Sequence, residues 1–234
     1  MDFAIIAAGE GSRLAKSGYP YPKPLARLNG VSLVERLIAI FASQGADTIH
    51  IIVNEESSAL ADLLQSYTGD VHIRLVQKTT PSSLNSFYEL IKSLPDVNEL
   101  CATTVDTIFK ENEFEHYLEA FRSNTKLDAL MAVTPFVEDE SPLYVKTNQH
   151  ADIVAFNDDT KDDVDILVSG GIYCLRRKAL DCVTKAINSN VERMRNFQRL
   201  LLTEHLNVKA FTFDKIIDID HLADLQQAEA WLDD

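Results

Sequence analysis

Short apolar segments alternate with amphipathic segments through the first half of the chain. The apolar runs predict β-strands at 3–8, 49–53, 71–76, 100–105 and 129–133. Between them, apolar residues recur every three to four positions, which predicts helices at 33–41, 59–67, 83–94 and 114–122. Strands that alternate with helices in this way are typical of βαβ units, whose strands lie parallel in one sheet.

The pattern changes after Pro135. Two short runs, 143–146 and 153–156, flank Asn148-Gln149-His150 and predict a β-hairpin. The segment 157–165 holds five aspartates and one lysine, which indicates a solvated loop. A strand at 166–175, helices at 178–187 and 192–205, a strand at 208–213, an extended segment at 216–220 and a helix ending near Trp231 complete the pattern. We expect a single domain over 1–234, with a doubly wound, mainly parallel, Rossmann-like α/β sheet and an inserted β-hairpin lobe.

Composition narrows the class of partner. The 234 residues are 46% hydrophobic and 25% charged, which is ordinary for one globular domain. The formal charge of −14 argues against nucleic acid as a partner, because binding to its phosphates depends on a basic surface. The first 30 residues carry four basic and two acidic side chains, so their formal charge is +2 and that of the remaining chain is −16. Positive charge is therefore concentrated at the start of the chain.

The three cysteines are odd in number and form no C-x-x-C motif, which is typical of reduced core residues in a cytoplasmic protein. Asp2 follows Met1, and the apolar run after it is too short for a signal peptide. No apolar stretch approaches the ~20 residues of a membrane span. We therefore expect a cytoplasmic protein without a membrane partner.

A glycine-rich loop directly follows the first predicted strand. The sequence reads Ala7-Ala8-Gly9-Glu10-Gly11-Ser12-Arg13-Leu14, and Pro22-Lys23-Pro24-Leu25 follows. Gly9 and Gly11 have no Cβ, so their backbone N–H groups can approach phosphate oxygens closely. Arg13 adds a forked cationic donor, and Lys23 adds a compact ammonium on a backbone that two prolines restrict. The loop therefore predicts a phosphate-binding site.

The glycine spacing decides between the known phosphate motifs. The third glycine of a dinucleotide fingerprint is replaced by Leu14, and no G-x-x-x-x-G-K-[ST] motif occurs. The pattern A-A-G-x-G-[ST]-R-L…P-K-P-L instead resembles the signature of the sugar-phosphate nucleotidyltransferases, or NDP-sugar pyrophosphorylases. The resemblance covers nearly the whole chain and continues at Asn29-Gly30, Ser32-Leu33-Val34, Gly45-Ala46-Asp47, Val105-Asp106, Ser169-Gly170-Gly171-Ile172-Tyr173 and Asp218-Ile219-Asp220.

This resemblance implies an activity and a set of site residues. The implied reaction joins a nucleoside triphosphate to a sugar 1-phosphate or a similar phosphorylated alcohol and releases pyrophosphate. The family match makes Arg13 and Lys23 catalytic and assigns the nucleotide to Ala8, Gly9, Gly11, Ser12, Arg13 and Gln77. The resemblance assigns the small phosphorylated substrate to Gly170 and Gly171, and a β-bulge is the alternative for both. Lys146, from its place in the predicted hairpin, could reach the phosphate of that substrate, although a solvated strand face also explains it. Residues 1–135 would mainly bind the nucleotide, and 136–234 the other substrate.

A magnesium ion is the implied cofactor, with Asp106 and Asp220 as its ligands. Asp106 follows the fourth strand at the carboxyl edge of the expected sheet, where ligands bind in open α/β folds. Asp218 and Asp220 alternate and are expected on one face of a strand, so either could be the second ligand. Turn capping by Asp106 and helix capping by Asp220 are the structural alternatives.

Other functions remain open from the sequence. Pro81-Ser82-Ser83-Leu84-Asn85 replaces the Gly-Thr that the family usually has after the glutamine, which leaves the base undefined. A cytidylyltransferase for a non-sugar phosphate such as phosphocholine, and a non-catalytic nucleotide-sensing subunit, are alternatives. A molybdenum-cofactor nucleotidyltransferase is a third, and Pro22-Lys23-Pro24 argues against it. No β-helix follows the domain before Asp234, so we expect a bare catalytic domain that is a monomer or a small homo-oligomer.

Overall fold

The computed structural model of the chain describes residues 1–9, 11–94, 96–137, 140–160 and 166–233. Its strands are β1 (Asp2–Ala7), β2 (Arg27–Leu28), β3 (Val31–Ser32), β4 (Thr48–Val53), β5 (His72–Gln77), β6 (Glu99–Thr104), β7 (Thr107–Ile108), β8 (Ala129–Thr134), β9 (Tyr144–Thr147), β10 (Ile153–Asn157), β11 (Val168–Arg176), β12 (Val208–Thr212) and β13 (Ile217–Asp218). Its helices are α1 (Ser12–Lys16), α2 (Leu33–Ser43), α3 (Ser58–Gln65), α4 (Ser83–Lys92), α5 (Glu111–Ser123), α6 (Arg177–Asn188), α7 (Met194–Thr203) and α8 (Leu222–Asp233), and a 3₁₀ turn spans Lys23–Leu25.

The predicted strands and helices are confirmed to within a few residues at each end. The extended segment at 216–220 is the main difference, because it is a strand only at Ile217–Asp218. The predicted acidic loop lies partly outside the described residues, which stop at 160 and resume at 166.

One nine-stranded sheet runs through the described part of the chain. Its main path is β10-β9-β11-β6-β1-β4-β5, with β8 and β12 joined beside β11. The strands β6, β1, β4 and β5 are all parallel, as the βαβ pattern predicts. Strand β11 then runs antiparallel to β6 and β8, and the predicted hairpin is the antiparallel pair β9–β10 at the end of the path. The α/β fold class is confirmed, with the antiparallel pairings concentrated in the second half of the sequence.

Helices cover both faces of this sheet, which confirms the doubly wound arrangement. Phe3 and Ile5 of β1 belong to one buried cluster, which also contains apolar residues of α2, α3, α5 and α8. Ala4 and Ile6 belong to a second cluster, formed with residues of α4, α6 and α7. Alternate residues of a strand point to opposite faces, so a strand buried on both sides must be apolar throughout. This explains the uninterrupted apolar run from which β1 was predicted.

The longest of the described helices, α5, has 13 residues. None of them is long and apolar enough to cross a membrane. The three cysteines are buried and unpaired by disulfides, as the sequence predicts.

A buried tyrosine hydroxyl connects β8 and β11 where their pairing is irregular. The register between the two strands shifts between Ser169 and Tyr173. Next to this shift, the Tyr117 hydroxyl donates to the Leu130 carbonyl (2.6 Å) and accepts from the Cys174 N–H (2.8 Å). Cys174 and Leu130 face each other in the register of the two strands. The hydroxyl therefore satisfies two buried backbone groups of the antiparallel half of the sheet.

We expect Tyr117→Phe to lower the free energy of unfolding by about 1–3 kcal/mol, because it leaves a buried N–H and C=O without this partner. Urea unfolding followed by circular dichroism measures the change. Tyr88→Phe is the matched control, since no hydrogen bond to its half-buried hydroxyl is present in the described structure. A change below about 0.5 kcal/mol for Tyr117→Phe would contradict this role.

Candidate active site

The glycine loop packs directly against the Pro-Lys-Pro segment. Gly11 has φ +59°, a conformation that favours glycine, and a Cβ placed there would lie 2.8 Å from the Cβ of Lys23. Gly9 differs, because a Cβ placed there would meet no atom within 4 Å. The fold therefore requires a glycine at position 11, whereas at position 9 the backbone borders open space.

Lys23 bridges the two carboxylates predicted to bind magnesium. Its backbone lies in the 3₁₀ turn, where the Ala26 N–H donates to the Lys23 carbonyl at 2.9 Å. Only 9% of its side chain is exposed. The ammonium Nζ donates to Asp106 Oδ2 at 2.7 Å and to Asp220 Oδ1 at 2.8 Å. The Arg13 guanidinium donates to the other carboxylate oxygen of Asp220, Oδ2. Four charged residues from three distant segments thus form one cluster.

Backbone pairing brings the two aspartates together. Strand β7 pairs with β13, with Thr107 opposite Asp218, and the Ile219 N–H donates to the Asp106 carbonyl at 3.0 Å. Asp224 in the first turn of α8 accepts hydrogen bonds from the backbone N–H groups of Asp220 (2.8 Å) and His221 (2.6 Å). The Asp224 carboxylate thus holds the start of α8, while both oxygens of Asp220 face Lys23 and Arg13.

Asp218 and Asp220 have different surroundings. The prediction that they share one face of a strand is wrong, because β13 ends at Asp218 and Asp220 lies in the turn before α8. Asp218 accepts a hydrogen bond from the Thr107 hydroxyl at 3.4 Å. Asp220 is thus the aspartate of this segment that shares the Lys23 ammonium with Asp106.

Electrostatics within the cluster favour the charged forms. Burial by itself would lower the pKa of the Lys23 ammonium, but the charge of Asp106 and hydrogen bonds to Asp106 and Asp220 outweigh it and raise that pKa above its ordinary value. Burial alone would raise the pKa of Asp220, whereas Lys23 and Arg13 together hold it below its ordinary value. The lysine is therefore an ammonium and Asp220 a carboxylate at neutral pH.

Two clefts of about 450 Å³ each have Asp106 in their lining. The first, here called the glycine-loop cleft, lies between the loop and the start of α4; its lining includes Ala8, Gly9, Gly11, Lys23, Asn54, Thr79, Thr80, Ser82 and Ser83. The second, here called the α7 cleft, lies beside the start of α7; its lining includes Ser169, Gly171, Tyr173, Arg193, Arg195, Gln198, Asp218 and Asp220. Both clefts include Ser83, Thr104 and Asp106, so they meet there.

The structure brings three of the six predicted nucleotide residues to the glycine-loop cleft, and Ser12 and Arg13 are not among the described residues that line it. Ala8, Gly9 and Gly11 line it, and Ser12 begins α1 at the end of the loop. Gln77 is exposed at the end of β5 and is not among the described residues that line either cleft. Asn54, which sequence reasoning missed, does line the glycine-loop cleft. Asn54 directly follows β4, so the rule that ligands bind at the carboxyl ends of parallel strands could have found it.

Of the three residues predicted for the second substrate, one lines the α7 cleft and two do not. Lys146 is an exposed residue of β9 and is not among the described residues lining either cleft. Gly170 lines a smaller hollow, and a Cβ there would lie 2.3 Å from Ile216 Cδ1, so packing already explains this glycine. Gly171 does line the α7 cleft, with φ +73°, and a Cβ there would lie 2.8 Å from the Thr107 hydroxyl. The register between β11 and β8 also shifts between Ser169 and Tyr173, which agrees with the β-bulge interpretation of the two glycines.

The α7 cleft contains two cations that sequence reasoning missed. Arg195 is held by Asp158 Oδ1 (2.8 Å) and by the Ser141 carbonyl (2.8 Å). Arg193 is exposed and has no acidic partner among the described residues. In the wall behind them, the Ser169 hydroxyl donates to the Oε1 of buried Gln198 at 3.0 Å. Burial and the charge of Asp218 raise the pKa of Tyr173, so its phenol is neutral at physiological pH. No periodic signal marks these residues, because only the packing of α7 beside β11 brings them to the cleft.

The carboxylates of Asp106 and Asp220 are suitable ligands for a hard cation, such as magnesium, that retains some of its bound water. Two carboxylates, Asp106 and Asp220, share one cation, the Lys23 ammonium. The described residues contain no group of three or more His, Cys, Asp or Glu side chains placed to hold a metal. Magnesium is commonly held by one or two carboxylates together with water and substrate phosphates, so a pair is sufficient. The metal assignment of these two residues stays a prediction.

We expect the contribution of Asp220 to stability to be lost in acid. Because the folded-state pKa of Asp220 is lowered from 3.8, its contribution is fully present above pH 3.8 and falls as the pH drops below that value. The difference in unfolding free energy between wild type and Asp220→Asn should therefore be constant at higher pH and shrink in more acidic solution. Urea unfolding at a series of pH values measures it. A difference that grows on acidification would show that the sign is wrong.

Comparison with known proteins places the chain in a family. Residues 3–169 match the family model described as the MobA-like NTP transferase domain. The chain is 24% identical over 238 residues to the bifunctional protein GlmU of Bartonella bacilliformis, an alignment of 97% of this chain and 51% of GlmU. It is 28% identical over 101 residues to a 2-aminoethylphosphonate cytidylyltransferase of Lancefieldella rimae, covering 43% of this chain and 39% of that protein. The chain thus spans about half, or less, of the length of these relatives.

Two solved structures have the same fold. The inositol-1-phosphate CTP transferase from T. maritima superposes with a TM-score of 0.79 at 18% identity, over 98% of this chain and 94% of that one. A putative glucose-1-phosphate thymidylyltransferase from Bacillus anthracis, in complex with a sucrose, superposes with a TM-score of 0.83 at 18% identity, over 100% and 96%. The Rossmann-like fold and the resemblance to nucleotidyltransferases are confirmed. The family match is to MobA-like domains in general, so the choice of branch stays a prediction. The chain belongs to the MobA-like NTP transferase domain family.

Proposed function

We propose that the protein is a magnesium-dependent nucleotidyltransferase that joins a nucleoside triphosphate to a sugar 1-phosphate or a similar phosphorylated alcohol, with release of pyrophosphate. The observation that supports this most directly is the meeting of the two clefts at Asp106, with the Lys23 ammonium beside it. Two anionic substrates, one in each cleft, would place their reacting phosphates at this junction.

The glycine-loop cleft suits the nucleoside triphosphate. Gly9 leaves open space beside the backbone at the carboxyl edge of β1, where α/β folds bind phosphates. Asn54 is a candidate for the base: its Oδ1 already accepts from the Thr79 hydroxyl (3.0 Å) and the Glu56 N–H (2.9 Å). Its amide NH₂ is therefore the group left to donate a hydrogen bond. This arrangement replaces the contact first predicted for Gln77.

The reaction is a direct in-line displacement. An oxygen of the acceptor phosphate forms a bond to the α-phosphorus, and the bond from that phosphorus to the oxygen bridging to the β-phosphate breaks, so the electron pair leaves on pyrophosphate. Both reactants are anions, so positioning and neutralisation of charge are the main requirements. Lys23 and Arg13 would supply two positive charges at the α-phosphorus. No covalent enzyme intermediate is needed.

Asp106 and Asp220 are the residues that would hold a magnesium ion. When bound, that ion would supply positive charge that offsets the negative charge on the leaving pyrophosphate. The Asp224 carboxylate and the pairing of β7 with β13 keep the two aspartates at the junction.

The α7 cleft suits a small anionic acceptor. Arg193 has no acidic partner among the described residues, and Gln198 and Ser169 provide polar groups for hydroxyls. Arg193 thus replaces Lys146 as the candidate for the acceptor phosphate. A second candidate reaction is cytidylyl transfer to a non-sugar phosphate or phosphonate. The similarity to an inositol-1-phosphate CTP transferase and to a 2-aminoethylphosphonate cytidylyltransferase supports it.

A substrate panel tests the function. CTP, UTP, GTP, ATP and dTTP are each offered with Mg²⁺ and with sugar 1-phosphates, inositol 1-phosphate, phosphocholine and 2-aminoethylphosphonate, and pyrophosphate release is measured. We expect turnover with one nucleotide and one acceptor class. Tight nucleotide binding without release for any acceptor would instead favour the nucleotide-sensing subunit.

With the active pair identified, we expect Lys23→Ala and Asp106→Asn each to lower kcat/KM by about 100-fold or more, because each removes charge stabilisation at the reacting phosphates. Lys16→Ala is the matched control: Lys16 is an exposed lysine in α1, and its loss should change kcat/KM by less than about twofold. Near-normal turnover in Asp106→Asn would refute the role of the junction.

The two loop glycines should respond differently to alanine. Gly9→Ala should leave unfolding free energy within about 0.5 kcal/mol of wild type, because its Cβ meets no protein atom, but should weaken nucleotide binding. Gly11→Ala should lower unfolding free energy by about 1 kcal/mol or more, because of its positive φ and its approach to Lys23. Urea unfolding and calorimetric nucleotide titration separate the two effects. Unchanged nucleotide affinity in Gly9→Ala would place the triphosphate elsewhere.

A further inference from the structure

The Lys23 ammonium lies between the two carboxylates to which the proposed function assigns the metal. We propose that Lys23 is an internal cation that occupies this position until a triphosphate binds, so that the divalent cation enters with the nucleotide and not before it. The proposal rests on the proposed function, since it concerns the same two aspartates. It adds an order of binding, and it makes Lys23 the residue that couples the two ligands.

The packing of Lys23 keeps its ammonium at this position. The stem of the side chain lies against Gly11, where even a Cβ on the facing residue would approach to 2.8 Å. Pro22 and Pro24 restrict the backbone on either side. Only 9% of the Lys23 side chain is exposed, so packing holds its ammonium against the two carboxylates. In the absence of ligands, the position between Asp106 and Asp220 is therefore filled by a well-held positive charge.

The charges of the cluster balance without a metal. Lys23 and Arg13 contribute two positive charges, and Asp106 and Asp220 contribute two negative ones. Two further carboxylates are close. Glu140 lies 4.0 Å from the Arg13 Nε and 3.5 Å from the His221 Nε2, and Asp218 accepts from the Thr107 hydroxyl. A divalent cation that approached this cluster alone would meet the ammonium at the position it needs, and the repulsion is strong where water is excluded.

A triphosphate changes this balance. It brings about four negative charges into the glycine-loop cleft, which Lys23 itself lines. Once the ammonium donates to phosphate oxygens instead, Asp106 loses its cation and Asp220 keeps only Arg13. A half-buried carboxylate without a partner is unfavourable. A divalent cation then restores neutrality at the aspartates. Nucleotide and metal binding are consequently coupled, and each strengthens the other by the same factor.

Binding of Mn²⁺ without nucleotide tests the proposal on the full chain. Free Mn²⁺ is measured by electron paramagnetic resonance during titration of wild type, Lys23→Met and Lys16→Met. We expect Lys23→Met to bind Mn²⁺ about tenfold or more tightly than wild type, because the competing ammonium is gone. Lys16→Met has the same change in net charge and should bind like wild type. In Lys23→Met, the further change Asp106→Asn should remove the gain.

Equal Mn²⁺ affinity in wild type and Lys23→Met would overturn the proposal. If Lys23→Met does not fold, Lys23→Gln replaces it, because an amide can still donate to one carboxylate without carrying charge. A test on wild type needs no variant. A manganese ion found between Asp106 and Asp220 in nucleotide-free crystals soaked in MnCl₂ would contradict the proposal. The test is independent of turnover. Tighter Mn²⁺ binding by Lys23→Met, together with no turnover by wild type in the substrate panel, would support the exchange of cations and contradict the transferase function.

Discussion

The contact on which the rest of the site depends is the pair of hydrogen bonds from one lysine ammonium to two aspartates that lie more than 100 residues apart in sequence. It can form only because Gly11 lets the loop pass within van der Waals distance of the Lys23 side chain. It also requires β13 to pair with β7, since that pairing carries Asp220 to Asp106. Loss of either condition would leave charged groups half buried without partners, which is strongly unfavourable. The glycine loop, the lysine and the two late aspartates therefore form one structural unit.

The topology of the sheet explains why two clefts meet at this unit. Parallel strands β1, β4 and β6 end at one edge, which places the glycine loop, Asn54 and Asp106 side by side. Strand β11 then runs antiparallel beside β6, and Ser169, Gly171 and Tyr173 of β11 line the second cleft, which shares Asp106 with the first. A parallel half and an antiparallel half thus border the same carboxylate. This division suits a reaction in which an anion in one cleft attacks a phosphorus of an anion bound in the other.

The sequence predicted most of the fold because buried parallel strands must be apolar on both faces, and helices between them must be amphipathic. The site was predictable where chemistry is concentrated in a short segment, as in the glycine loop with Arg13 and Lys23. Prediction failed for a residue whose distance from the cleft depends on where its strand lies in the sheet. Gln77 has the expected residue type, but β5 is the edge strand of the main path and leaves it outside the cleft.

Long-range packing was the second reason why some site residues could not be predicted from the sequence. Arg193 and Gln198 reach the α7 cleft because α7 packs beside the hairpin and β11, and no local pattern encodes that arrangement. Lys146 was assigned from its place in the hairpin, but it lies outside the set of lining residues. The short strand β13 was predicted too long, because Asp220 belongs to the turn before α8. Its carboxylate nevertheless shares the Lys23 ammonium with Asp106, and the metal assignment of the two stays a prediction.

Anomalous diffraction from crystals grown with Mn²⁺ and an unreactive methylene analogue of the active nucleoside triphosphate tests the central claim most directly. The account predicts a manganese peak between Asp106 and Asp220, a triphosphate along Gly9 and Gly11, and the Lys23 ammonium moved from the carboxylates to phosphate oxygens. A triphosphate bound in the α7 cleft, or Lys23 still between the two aspartates with the nucleotide in place, would contradict it.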